Sequence, residues 1–490
     1  MRRRALPCRW QRPWPTTSAA RRPPPMRSGQ DLSTGVARRA RTASAHLAWP
    51  SASAVSGRQA TATALTCSAK PPGPWLIAMG DDRVTTAGRV SMRSPCRWHA
   101  FLVALGSGLL SLVLAACQQT APGPPITLGL IAPLSGASAA SGEAIQRGMV
   151  LAMDELNQAG GVLGRPLALA VRDVPNDPSA GVAALRELVQ QERIVAVFGG
   201  IFSPVMLAQL DAIHELQLPL INPWGSVTAI TRNGREPNYA FRVSVSDADA
   251  DEFLVRYVLE VIGARRPGIL ADTTAWGASN VVGLTDWLAR LGTAPAGIER
   301  FDQGETTMRG QLARLQAAGA DALLMIANAP EGAAIVRGMA TLGWRVPVVS
   351  HWGISGGLFV ERAGVEHAEE VLTLQTFSFV GPRSPKAEAV LRAYHARFGT
   401  RRVEDVLAPV GVAHGYDGVH LLALAIRQAG TTAGPRVREA LERLGPYDGL
   451  VKRYAPAFTP ARHDALQVDD YLMAVWREGR LVPASPPRVR

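Results

Sequence analysis

From Ile126 onward, short apolar runs alternate with longer stretches of helical period. "ITLGLIAPL" (126–134) reads as a strand. "SGEAIQRGMVLAMDELNQAGG" (141–161) then reads as a helix, because Ile145, Met149, Ala152, Met153 and Leu156 fall on one face. Ser141 is placed to cap its start, and Gly160 and Gly161 to end it. Strand 166–173, helix 178–192, strand 194–200, helix 203–217 and strand 218–224 continue the alternation, with Asp177 as cap and Pro178 in the first turn of the second helix. Nearly continuous apolar strands separated by helices predict a parallel sheet covered on both faces.

A second series begins after "FRVSVSD" (241–247). It predicts helix 248–263, strand 267–272, helices 279–292 and 306–320, strand 321–328, helix 331–343 and strand 346–352. "EVLTLQTFSF" (370–379) reads as a return crossing, followed by helices 385–398, 410–429 and 434–444. The tail 469–482 reads as strand, turn at Glu478-Gly479, strand. The fold class is α/β, with two Rossmann-like lobes built on parallel sheets.

Upstream of Ile126 the pattern is different. Residues 1–91 are rich in Arg, Pro, Ser, Ala and Thr, carry neither period 2 nor period 3.6, and have nothing with which to build a core. They read as a disordered extension, or as one that does not belong to the protein if Met92 is the true start. After Met92 come Arg93 and Arg97, an uncharged run of 14 residues (Phe101–Leu114), and small residues Ala115 and Ala116. That is the layout of a secretory signal over 92–116, too short for a membrane span of about 18–20 residues. "LAAC" (114–117) resembles the lipobox of bacterial lipoproteins. The resemblance makes Cys117 the lipidated first mature residue and 117–125 the tether; an ordinary signal with an incidental cysteine is the alternative.

Charge and cysteine follow the same boundary. The net charge of +12 is local, because residues 1–116 hold 17 Lys and Arg against 3 Asp and Glu, leaving 35 basic against 37 acidic residues beyond them. A nucleic-acid partner is therefore not indicated, since the basic excess lies off the folded part. All four cysteines, Cys8, Cys67, Cys96 and Cys117, precede the folded part, which must be stabilised by its core without disulfides.

The motifs, taken in order, resemble the type I periplasmic binding proteins, in particular the Leu/Ile/Val-binding family of ABC-transporter substrate-binding proteins. The carriers are "IAPLSGASAASGEAIQRGMVLAMDELNQAGGVLGRPL" (131–167), "VAVFGGIFSPVMLA" (195–208), "LPLINPWGSVTAIT" (218–231), "FRVSVSDADADEF" (241–253), "GETTMRGQLARLQAAGADALLM" (304–325) and "GYDGVHLLALAI" (415–426). The resemblance implies two lobes joined by three hinge crossings, near 243–247, 375–380 and 449–456. The first lobe would then be 126–244 plus 380–448, and the second 245–376 plus 456–482.

Open parallel sheets place ligands at the carboxyl ends of their strands, where loops become helix N-termini. "GGIFSP" (199–204) and "NPWGS" (222–226) supply the Ser203 and Ser226 hydroxyls and the peptide N–H groups of Gly225 and Ser226 at such turns. On residue type alone, plain N-capping explains these serines equally well. The resemblance implies that Ser203, Trp224, Gly225 and Ser226 hold a ligand carboxylate. In the second lobe it implies cleft positions at Trp276, at Asn328 or Ala329, and at Trp352. A tyrosine is usual in the family at the first, and an acid that holds the ligand ammonium at the last. With tryptophan in the acid's place a simple α-amino acid is not favoured, since a buried ammonium without a carboxylate costs several kcal/mol. Three tryptophans suit a flat or aliphatic body, or a methylated ammonium. Packing of these rings in the core is the plainer alternative, and Glu331 remains a source of negative charge.

Nothing enzymatic emerges. The histidines at 214, 351, 367, 395, 414, 420 and 463 lack metal-ligand spacing, "GGVLG" (160–164) follows a helix instead of preceding one, and "WGISGG" (352–357) is not a nucleophile elbow. No cofactor is indicated. The expectation is a monomeric, membrane-tethered periplasmic lipoprotein that delivers a small organic ligand (amino-acid-like, amide, carboxylate or methylammonium) to an ABC permease of the inner membrane. A ligand-sensing receptor component and an activator of a cell-wall enzyme are the alternatives.

Overall fold

The computed structural model describes residues 123–484. The extension, the signal segment with its apolar run, and Cys117 lie outside the described residues, and so does most of the tether.

Five strands form the first sheet: β1 (Ile126–Ala132), β2 (Leu167–Asp173), β3 (Ala196–Phe198), β4 (Leu220–Asn222) and β5 (Ala240–Arg242). Their order is β2-β1-β3-β4-β5, and every neighbouring pair is parallel. Asp177 caps the Pro178–Glu187 helix as expected, its Oδ1 accepting from the amides of Ser179 and Ala180. The Pro409–Ala429 helix, buried along almost its whole length, packs on the Ala139–Gln158 helix and brings Gly418 against Phe198 and Ile221 of the sheet.

The second sheet has seven strands: β6 (Pro267–Asp272), β7 (Ile298–Phe301), β8 (Ala322–Ile326), β9 (Val348–Ser350), β10 (Leu372–Gln375), β13 (Leu472–Arg477) and β14 (Arg480–Pro483). The pair β11 (Tyr447–Asp448) and β12 (Arg453–Tyr454) stands apart as a small antiparallel ribbon. The order in the large sheet is β14-β13-β10-β9-β8-β6-β7, parallel from β7 to β10 and antiparallel at β13 and β14. Glu478 and Gly479 make the final turn with positive φ, as the tail pattern predicts.

Several local expectations are corrected. Ser141 is not a cap: the helix starts at Ala139, and the buried Ser141 hydroxyl donates across to the Gly356 carbonyl of the second lobe. The helix expected at 279 begins at Ala275, capped by Thr274, whose Oγ1 accepts from the Trp276 amide. Strand β7 and the short helices at Trp352–Gly356, Phe359–Ala363 and Val365–Ala368 were not anticipated.

Residues 456–466, expected in the second lobe, lie on the first. Arg242 and Asp464 form a parallel bridge at the edge of β5, with the Arg242 amide donating to the His463 carbonyl and the Ala465 amide to the Arg242 carbonyl. Phe241 stacks on His463 with ring centroids 4.0 Å apart. The passage to the second sheet thus comes after Leu466, because β5 offers this segment both an open hydrogen-bonding edge and an aromatic face.

Among the described residues no helix is long and apolar enough to cross a membrane.

Candidate functional site

The carboxyl ends of both sheets converge on one narrow pocket. Ser203, Trp224 and Ser226 line it from the first lobe, and Trp276, Asn328 and Trp352 from the second. Each is held by its own local chemistry. Asn222 braces the "NPWGS" turn, its Oδ1 accepting from the Trp224 amide at 3.1 Å while its amide group donates to the Gly225 carbonyl. Ser203 opens the Ser203–Glu215 helix, and its hydroxyl lies 3.4 Å from the Val227 amide that donates to it. Gly225 does not line the pocket; a Cβ there would meet the Met206 side chain and lie 3.2 Å from the Ser203 hydroxyl.

Arg242 fixes this loop from below. Fully buried, it pairs with Asp464 (Nε to Oδ1, 3.0 Å) and donates to the carbonyls of Ser226 and Val227 and to the Thr231 hydroxyl. The carboxylate compensates the buried charge, and the carbonyls use its remaining donors.

The three tryptophans share the pocket. Trp224 and Trp352, one from each lobe, have ring centroids 5.0 Å apart at an interplanar angle of 32°. Trp276 stands edge-on to His351 at 5.3 Å, and Trp352 packs on His414 at 5.6 Å. Both histidines are buried. His414 Nδ1 faces the Pro223 carbonyl, so this nitrogen carries the proton and Nε2 accepts from the Thr376 hydroxyl. Burial lowers its pKa to about 3, which keeps the ring neutral. His351 Nδ1 accepts from the Trp352 amide at 2.9 Å, which places its proton on Nε2, 3.4 Å from Asp247 Oδ1.

The sequence missed one acid. Asp272, at the carboxyl end of β6, lines the pocket and is 4% exposed. Its Oδ1 accepts from the Thr274 amide and hydroxyl and from the Gly277 amide. Burial pushes its pKa up, against the pull of these hydrogen bonds. Asn176, Thr274 and Gly353 also line the site, and Asn176 donates across the lobes to Gln303 at 2.6 Å. Glu331 does not face this pocket and belongs to a different one. As it stands, the pocket has about 20 Å³ of free space, room for roughly one or two water molecules. A larger solute does not fit between the two walls as they stand. Among the described residues no group of histidines and acids has metal-binding geometry.

Residues 125–480 match the family model described as periplasmic binding protein. The chain belongs to that family. A Leu/Ile/Val-binding protein homolog of Brucella abortus is 27% identical over 72% of this chain and 91% of its own. The periplasmic binding protein type 1 of Bordetella pertussis Tohama I is 27% identical over 74% of this chain and all of its own, with a TM-score of 0.68. A solute-binding protein of an ABC transporter from R. palustris, solved with 4-hydroxybenzoate, is 18% identical over 74% of this chain and 95% of its own, with a TM-score of 0.64. A periplasmic binding protein is a carrier of small molecules and not an enzyme, and the two lobes with parallel sheets are the fold of this family.

Proposed function

We propose that the chain is the solute-binding component of an ABC importer, and that its solute is a small zwitterion with a flat or aliphatic body. The carboxylate sits at Ser203 and Ser226, where hydroxyls and helix N-terminal amides gather. The nitrogen sits between the indole faces and Asp272. The observation that carries this reading is Asp272 itself, an almost fully buried acid on the wall contributed by the lobe opposite the two serines. It supplies from β6 the negative charge that Trp352 withholds at the family's usual position, so amino acids and betaines return as candidates. A solute adds to lobe closure by differential affinity, since one that touches both walls binds the closed form more tightly than the open one. Lipidation at Cys117 would tether the protein; labelling with radioactive palmitate, lost in Cys117→Ser, tests that part.

Calorimetry with amino acids, betaines and aromatic acids tests the solute class. A zwitterion should bind, and Asp272→Asn should weaken it at least tenfold, about 1.4 kcal/mol. The second reading, an aromatic acid, is favoured by the three indoles and by the 4-hydroxybenzoate of the R. palustris neighbour. It requires the opposite result, with tighter binding in Asp272→Asn.

A further inference from the structure

We infer that the second lobe carries a second solute site, separate from the interlobe pocket and built to take a short zwitterion with well-separated charges. A cavity of about 330 Å³ opens beside the loop that follows β7, within the size range of small-molecule sites. The buried Glu331 lines it beside Glu305, and the exposed Arg337 and Arg362 line it as well. Glu331 is 5% exposed; one carboxylate oxygen accepts from the Gly304 amide at 2.9 Å, and the other, Oε2, is buried without a hydrogen-bond partner. Buried polar atoms are nearly always satisfied, so an unpaired carboxylate oxygen on a cavity wall marks a place where a donor from outside belongs.

The two arginines supply the opposite chemistry. Arg337 donates to the Arg362 carbonyl. Both arginines are exposed; burial pushes the Glu331 carboxyl up, and the Arg362 charge acts on it against that rise. Glu331 and Arg337 stand six positions apart on the Ala329–Thr341 helix, about 9 Å along its axis. An ammonium at Oε2 and a carboxylate at the guanidinium groups match that separation when several bonds lie between the two charges, as in an ω-amino acid. A bare anion does not fit, because it would face the Glu331 carboxylate. A bare cation would face the arginines.

Nuclear magnetic resonance titration of the full-length protein with 6-aminohexanoate tests the site. The Gly304 amide signal should shift and saturate. Arg337→Ala and Glu331→Gln should each weaken the effect at least tenfold, and Ser203→Ala should leave it unchanged. Because Arg337 is exposed, its variant stays informative even if Glu331→Gln perturbs the loop. Absence of a saturable shift, equal binding by Arg337→Ala, or loss of binding in Ser203→Ala would overturn the assignment. The last result would move the probe to the interlobe pocket.

Discussion

Trp224 and Trp352 meet ring to ring across the two lobes, 5.0 Å between centroids, and both line the same pocket. The pair is therefore both part of the wall and a tie between the lobes. Replacing Trp352 by alanine should open the resting molecule, seen as a larger radius of gyration in solution scattering. It should also cost about 3–5 kcal/mol of stability, because the ring is 1% exposed. An unchanged radius would show that the lobes are held together elsewhere.

Gly356 tests the same closure without removing a ring. A Cβ there would lie 2.7 Å from Trp224 Cζ2 and also against the Ser141 hydroxyl, both atoms of the opposite lobe. Gly356→Ala should thus spare each lobe's own core while obstructing their approach. The melting temperature should move by no more than a few degrees, and affinity for the transported solute should fall at least tenfold, about 1.4 kcal/mol. Equal affinity would mean that the contact is absent from the bound form.

His414 should make the fold acid-sensitive. Its pKa in the fold is about 3 against an ordinary 6.5, because burial excludes the charged ring. The unfolded chain takes up a proton below about 6.5 while the fold refuses it until about 3. The resulting stability is complete above the ordinary value and is lost as pH falls through this window, by at most about 1.4 kcal/mol per pH unit. Asp417 works the other way: burial raises its pKa to about 6, so acidification towards 3.8 favours the fold. Denaturant titrations at several pH values should show His414→Gln losing less stability on acidification than the parent; parallel curves would assign the acid sensitivity to other groups.

The Arg242–Asp464 pair should be costly to break from one side. Both residues are buried, and Asp464→Ala removes the carboxylate in direct contact with Arg242. A loss of about 3–5 kcal/mol is expected in urea unfolding. A loss below 1 kcal/mol would indicate that Arg232, which also reaches Asp464 at 3.2 Å, or solvent takes over.

Periodicity made the main elements legible. The helix at 385–398 and the strand at 267–272 fall where the sequence places them, since a repeating apolar face is written into consecutive residues. Strand β7 escaped notice because it is an edge strand whose Ile298 is exposed, so "IERF" has no apolar side to read. Segment 352–368 holds four glycines and no sustained period, but Ile354, Phe359 and Ala363 seat its short helices in the second core.

At the site, six of the seven proposed ligand residues line one pocket, because each occupies a strand-to-helix turn that the fold must bring to the same end of its sheet. Asp272 was hidden for the same local reason. The Thr274 and Gly277 hydrogen bonds give Asp272 a local capping role that any acid before a helix can fill, and they do not disclose which wall the carboxylate joins. Ser141 misled in the same way, since capping and a hydrogen bond to the opposite lobe call for the same residue type.

The position of the Pro409–Ala429 helix bears on how the chain is made. It covers β3 and β4 through Gly418, yet it follows all five parallel strands of the second sheet in the sequence. A chain emerging from the ribosome therefore carries an uncovered greasy surface throughout the time its other half is being synthesised. During that interval a holding factor has most to grip, and a premature stop leaves the most aggregation-prone product.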